Sequence, residues 1–394
     1  MARSSPLLLI LLGLWLQLAN AMDNSSRCVM YLTGQHNVVP KDKDLRQDVT
    51  HVILAFLRSD LFNTDQDLGE YSLFTSVDAV RTEFPSSTKV MVAVGGWGDS
   101  LGFEEAARSQ TTRERWAKRV REMVEATGAD GVDIDWEYPG GNRDDYKTVP
   151  NGQRVWEIEA FHLLLAALRK EIGAEKQLSI AVPGKEQDLM AFTDETIPRI
   201  VDQVDFINIM TYDLMNRRDT IVKHHSGVED SKQSIQRYLD RGVPSGMVNL
   251  GLGYYIKWFM TEDCDYSQPI DCPTQLLEDP VTGDDLGRTA AFSWHDEVPP
   301  DLADSFSRAI SSPQYFEDGS VGFWDASERR WWSYDTDRSI RQKIRDIVGP
   351  MSLGGVFAWG LGEDAPNFTL LTATVESLRD MTENGVEPEA HDEL

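Results

Sequence analysis

Short apolar runs rich in β-branched residues recur along the chain, at 29–32, 51–57, 89–94, 131–136, 178–182, 204–210, 248–252 and 355–359. Their near-continuous apolar character predicts strands buried on both faces, as parallel sheets require. Between them lie stretches with helical spacing, at 112–127, 156–172, 231–241, 338–348 and 370–381. In the first of these, Trp116, Val120, Met123, Val124 and Thr127 fall at steps of three and four, which places them on one face of a helix. Strand–helix alternation that stops after eight strands predicts an α/β fold, the (β/α)8 or TIM barrel. A doubly wound open sheet is the competitor. It has no reason to stop at eight units, and no dinucleotide-binding glycine fingerprint follows the first strand.

One connection breaks the rhythm. About 80 residues separate the end of the seventh strand near Gly253 from the start of its helix near Asp335. Connections of that length carry structure of their own. A helical pattern at 300–310 and two aromatic, strand-like runs at 321–324 and 330–334 predict a small α+β insertion over 256–334, between strand 7 and helix 7. It would sit on the rim formed by the C-terminal strand ends. No low-complexity linker and no internal repeat interrupt the rest.

Composition narrows the class. With 394 residues, 41% of them apolar and 11 of them Trp, the chain can bury a sizeable core. Acidic residues outnumber basic ones 65 to 38, a net charge of −27 that repels phosphate backbones and anionic membrane surfaces. A neutral or cationic partner fits better, although such a charge also simply keeps a lumenal or secreted protein dissolved. Arg3, the apolar run 7–18 and Ala19-Asn20-Ala21 predict a signal peptide over 1–21. The barrel domain would then occupy 22–383, with no membrane span and as a monomer. An acidic tail, 384–394, carries His391-Asp392-Glu393-Leu394, a signal read by the retrieval receptor of the endoplasmic reticulum. The expected location is therefore the reticulum lumen, with secretion as the alternative. Asn24 and Asn367 begin glycosylation sequons. Cys264 and Cys272 flank a short loop and are expected to pair in that oxidising compartment, leaving Cys28 as a small buried hydrophobe in the first strand.

The chemistry concentrates in residues 130–137, Asp-Gly-Val-Asp-Ile-Asp-Trp-Glu. On a strand, Asp133, Asp135 and Glu137 share one face while Val132, Ile134 and Trp136 share the other. Carboxylates stacked in a partly desolvated interior are relieved only by raised pKa values and shared protons, which suits an acid catalyst. In such barrels active residues gather at the C-terminal strand ends. Glu137 lies at one, Gly95-Gly96-Trp97 at a second, Met210-Thr211-Tyr212-Asp213 at a third and Trp359 at a fourth. Aromatic platforms beside carboxylates describe a sugar site, where ring faces stack on pyranose C–H surfaces.

These residues resemble glycoside hydrolase family 18, the chitinase family. The run beginning at Asp130 matches its Asp-x-x-Asp-x-Asp-x-Glu signature, and Gly95-Gly96-Trp97, Met210-Thr211-Tyr212-Asp213 and Gly354-Gly355-Val356-Phe357-Ala358-Trp359 extend the likeness over nearly the whole mature chain. Residues Tyr31-Leu32-Thr33-Gly34-Gln35-His36 look like a fungal branch of the family. The resemblance implies that Glu137 is the general acid, that Asp135 orients the substrate's acetamido group, that Asp133 shares a proton with Asp135, and that Tyr212 bonds the acetamido oxygen. Asp213 and Trp359 would hold and floor the −1 sugar, and Trp97 a neighbouring subsite. Tyr31, Phe56, Gly96, Tyr138 and Met210 would also contact substrate. Catalysis would be substrate-assisted, the acetamido carbonyl attacking the anomeric carbon with net retention, which is a property of the family and not a reading of these residues.

The chain departs from the family at Ala93, where many relatives carry Ser, which removes a hydroxyl near the stack and puts the proton sharing at Asp133 in question. Asp130 has the opposite strand parity and is assigned to the strand start. No cofactor or metal is expected. Tyr138 stands where a calcium loop needs Gly, no His-Glu-x-x-His occurs, and His224-His225 reads as a loop pair. The expected activity is that of a retaining endo-β-1,4-N-acetylglucosaminidase of the chitinase type, with β-1,4-linked N-acetylglucosamine oligomers or polymers as its partners. The alternatives are an endo-β-N-acetylglucosaminidase that cuts the chitobiose core of N-glycans, and a non-catalytic chitin-binding lectin. The insertion's Trp258, Trp294, Trp331 and Trp332 are expected to wall one side of the cleft, with at most one of the adjacent pair facing it.

Overall fold

The computed structural model of the protein describes residues 26–66 and 68–384. The expected signal peptide, Asn24 and the terminal tetrapeptide lie outside them. Eight strands close into a parallel barrel: β1 (Arg27–Thr33), β2 (His51–Leu57), β3 (Lys89–Gly95), β4 (Gly131–Asp135), β5 (Gln177–Pro183), β6 (Phe206–Met210), β7 (Val248–Gly253) and β13 (Gly355–Trp359). Each of β2 to β7 pairs with its predecessor, and β13 seals the ring between β7 and β1. All eight runs read from the sequence are strands of this barrel.

Period-two alternation sends the two sides of each strand into different cores. Val29, Tyr31, Ile53, Met91 and Phe357 fill the barrel interior. Cys28, Met30, Leu32, Val52, Leu54, Val90 and Val92 pack outward against the helices. The helices Gln110–Thr127, Trp156–Ile172, Val228–Asp240 and Thr369–Asn384 form much of that outer layer. Trp116, Val120, Met123 and Val124 are buried in the first of them, as their spacing predicts. The 338–348 stretch is not one regular helix: it divides into Asp337–Lys343 and a π-turn at Ile344–Val348.

Between β7 and its helix the chain builds an antiparallel five-stranded sheet from β8 (Tyr255–Met260), β9 (Thr289–Ser293), β10 (Gln314–Tyr315), β11 (Val321–Asp325) and β12 (Arg330–Ser333), in the order β10-β11-β12-β8-β9. The helix Ala303–Ser311 belongs to it. Sequence reading found this helix, β11 and β12 but missed β8, β9 and β10. Only Tyr254 separates β8 from β7, so no turn residues mark the point where the chain changes sheets. Cys264 and Cys272 are bonded, with Cα atoms 5.6 Å apart, and Cys28 is a buried free thiol. Among the described residues no helix is long and apolar enough to cross a membrane.

The four insertion tryptophans do not wall the cleft. Trp332 packs with Ile256, Trp258 and Phe323 and donates its indole N–H to Ser305 Oγ at 2.9 Å. Trp331, pointing the other way, packs with Met215, Val222 and Phe259 and donates to the Lys223 carbonyl at 2.8 Å. Around β12 the inserted sheet is covered on both faces, so the adjacent indoles each find an apolar pocket. Trp258 is buried, and Trp294 is half-buried between the core under the helices and the core of the inserted sheet.

Candidate active site

Strand β4 delivers the carboxylates. Its outward residues Val132, Ile134 and Trp136 are buried among the helices, which forces Asp133 and Asp135 inward. Asp133 is fully buried, Asp135 nearly so, and Glu137 is half-buried where the strand leaves the barrel. The glycine pair at the end of β3 has a steric cause. Gly95 has φ +117°, and a Cβ there would stand 2.1 Å from the Asp135 carbonyl oxygen. Gly96 donates its N–H to that same oxygen at 2.8 Å. The close approach locks the end of β3 against the carboxylate strand.

Both oxygens of Asp133 are met by donors. Tyr31 donates to Oδ2 at 2.7 Å and Ser179 to Oδ1 at 2.6 Å. Behind Tyr31 runs a buried chain: Asn208 Nδ2 donates to the Tyr31 hydroxyl at 3.0 Å, Asn249 Nδ2 to Asn208 Oδ1 at 2.8 Å, and Arg27 Nε to Asn249 Oδ1 at 2.9 Å. Burial pushes the Asp133 carboxyl up to about 6 against the pull of these two hydroxyls. Asp135 is raised well above the carboxylate range, first by burial and then by Glu137 and Asp133 on either side. One of its oxygens, Oδ1, is buried without a hydrogen-bond partner. Glu137 is raised to about 7 by burial, opposed by a hydrogen bond from Tyr138 and assisted by the charges of Asp213 and Asp188. Three carboxyl groups, all raised above the ordinary range, thus compete for protons.

Above the stack opens a cleft of about 680 Å³. Asp135, Glu137, Tyr212, Phe56, Gly96, Trp97, Tyr138, Met210, Asp213 and Trp359 all line it, so the structure brings together ten of the twelve residues expected there. Asp133 lies beneath them. Tyr31, expected to contact substrate, is a correction: it is 1% exposed and does not line the cleft. Its hydroxyl is spent on Asp133 and its ring supports Trp359, centroids 5.7 Å apart. Phe56 stacks on Trp359 from another side, at 5.5 Å and 20°. Tyr212 is wedged edge-on between Tyr255 and Phe357. Trp97 is 52% exposed and offers the cleft an indole with free surface.

Asp213 has φ 53° and is held by residues that sequence reading missed. Tyr255 and Lys257 each donate to its Oδ1 at 2.8 Å, and His225 stands 3.8 Å away. Burial opposes ionisation, yet Lys257 and these neighbours keep its carboxyl below the ordinary range. Tyr255 and Lys257 share one face of β8, so a period-two reading of that strand was the available signal. His36, on the loop after β1, bonds Asp296 of the insertion at 2.9 Å and stands 3.7 Å from Glu363 beyond β13. Cleft residues from sequence-distant loops carry no local pattern. Among the described residues no group of three or more His, Cys, Asp or Glu side chains is placed to hold a metal ion.

Comparison with known proteins agrees with this geometry. Chitotriosidase-1 of Mus musculus is 25% identical over 85% of this chain and 71% of its own length. Chitinase A1 of Niallia circulans is 28% identical over 70% of this chain, which spans only 40% of that relative. A crystal structure of a chitinase from Rhizomucor miehei superimposes with a TM-score of 0.69 at 21% identity, covering 89% of this chain and 99% of that one, and shares its fold. The profile of Glycosyl hydrolases family 18 matches residues 27–364, which include the carboxylate strand, the cleft and the insertion. The chain belongs to glycosyl hydrolases family 18 and is a glycoside hydrolase.

Proposed function

We propose that the protein is a retaining, endo-acting β-1,4-N-acetylglucosaminidase that hydrolyses chitin or chitooligosaccharides with assistance from the substrate's own acetamido group. The observation that carries this reading is Asp135: a buried carboxyl under the cleft with one oxygen unpartnered, raised well above the ordinary range by burial and by Glu137 and Asp133 on either side. An N–H from a 2-acetamido sugar is the donor such an oxygen lacks. Glu137 protonates the glycosidic oxygen as the C1–O bond breaks, and the acetamido carbonyl oxygen closes on C1 to give an oxazolinium ion. Glu137 then takes a proton from the water that attacks C1, restoring the starting configuration. Trp359, braced by Phe56 and Tyr31, floors the reacting sugar, and Asp213 and Tyr212 hold it. Trp97, at another strand end, stacks a second sugar, which favours chains over single residues. The chitinase names of the relatives support the polymer as substrate.

Purified enzyme should cleave N-acetylglucosamine oligomers and release the β-anomer first, by proton NMR. Equal turnover of cello-oligosaccharides, which have no acetamido group, would refute substrate assistance. Preferential trimming of a high-mannose glycoprotein would identify the N-glycan core as the substrate, and binding without turnover would identify a lectin.

The location is part of the proposal. The leader at 1–21 and the terminal His-Asp-Glu-Leu support residence in the lumen of the endoplasmic reticulum, and residues Tyr31 to His36 support a place in the fungal branch of the family. Deleting the last four residues should send it to the culture medium; unchanged retention would dismiss the signal.

A further inference from the structure

Asp133 has one Cα partner on each neighbouring strand, Ala93 on β3 and Ser179 on β5. Paired residues of a parallel sheet share a face, so both side chains enter the barrel beside the carboxylate. Both are fully buried. Ala93 offers only a methyl group. Ser179 donates to Asp133 Oδ1 at 2.6 Å, and Tyr31 satisfies the other oxygen.

Building on the proposed acetamido-assisted reaction, we infer that Ser179 is a positioning residue: its hydroxyl fixes Asp133 and holds the negative charge there when the shared proton passes to Asp135. Either flanking strand could present that hydroxyl, and β5 does so because β3 carries alanine. The groups that face Asp133 are Asp135 from its own strand, Tyr31 from β1 and Tyr212 beyond β6, with Ala93 and Ser179 at its sides. Arg27 reaches it only through Asn249, Asn208 and Tyr31. Among the described residues, Ser179 is therefore one of two direct donors. A donor to an ionised carboxylate favours the charged form, so its loss raises the pH at which Asp133 takes up a proton.

Ser179→Ala should lower kcat about ten- to hundred-fold with KM nearly unchanged, and should move the acid limb of the kcat profile to higher pH. Ser179→Thr, which keeps the hydroxyl, should stay close to the parent enzyme. Adding Ala93→Ser to Ser179→Ala should restore both rate and acid limb, because position 93 reaches the same carboxylate from the other side. Unchanged kcat and acid limb in Ser179→Ala, or a double variant as slow as the single one, would overturn the inference. If Ser179→Ala does not fold, Ser179→Cys replaces it as a weaker donor of similar shape, and a Cys variant as fast as the parent would be equally fatal. Failure of the underlying reaction scheme would show separately, in a parent enzyme inactive on chitooligosaccharides or indifferent to Glu137→Gln.

Discussion

Glu137→Gln should reduce kcat on chitooligosaccharides by about 10³-fold or more while leaving oligosaccharide binding in place. General acid catalysis by one positioned group is worth roughly 10²–10⁴-fold, and here the same side chain must act again as base on the water. The amide preserves shape but can neither give nor take that proton. The parent enzyme should also show a basic limb near neutrality. Burial raises the Glu137 carboxyl to about 7, so its protonated, active form is present below that pH and lost as pH rises through it. Asp188, buried on the cleft wall, contributes to that elevation through its charge. Asp188→Asn should therefore move the basic limb to lower pH. Turnover that survives Glu137→Gln would show that the acid has been misassigned.

Asp135→Asn should be nearly as damaging, lowering kcat about 10²–10³-fold with a smaller change in KM. The oxazolinium intermediate places positive charge on the acetamido nitrogen, and the negative charge that Asp133 and Asp135 share around one proton stabilises it as it develops in a dry site. Asn keeps an acceptor for the N–H but carries no charge, and it cannot exchange a proton with Asp133. The loss should therefore fall on the transition state and leave ground-state binding largely intact. Kinetics within about ten-fold of the parent would mean that the substrate nitrogen is stabilised by something else. Because Asp133, Asp135 and Glu137 titrate together, the double variant Asp133→Asn/Asp135→Asn should lose much less than the product of the single losses.

Much of this architecture is legible in the sequence. The eight strands can be read because a strand buried on both faces leaves an unbroken apolar run, and the carboxylate stack because β parity depends on the backbone alone. The positions of Trp97, Tyr212, Asp213 and Trp359 follow from lying at strand ends, since all strands of the barrel point the same way. The misreadings share a different character. Tyr31 is expected to contact substrate because of the family resemblance, yet its depth depends on Asp133 and Asn208, far away in sequence. One of Trp331 and Trp332 reads as a cleft aromatic under the assumption that the sheet is open on one face there. The structure covers both faces around β12.

The barrel, the inward march of Asp133, Asp135 and Glu137, and the aromatic strand ends are all written in the order of the residues. These follow from short-range periodicity and from a side-chain direction that the backbone dictates. Long-range packing settles which hydroxyl steadies Asp133, which cation keeps Asp213 ionised, and which tryptophans stay out of the cleft. Those outcomes rest on contacts between strands and loops tens to hundreds of residues apart. Ser179 meets Asp133 across a strand register, and Lys257 meets Asp213 across a change of sheet. No local pattern of apolar and polar residues encodes such a meeting, because it depends on how separate elements are brought side by side.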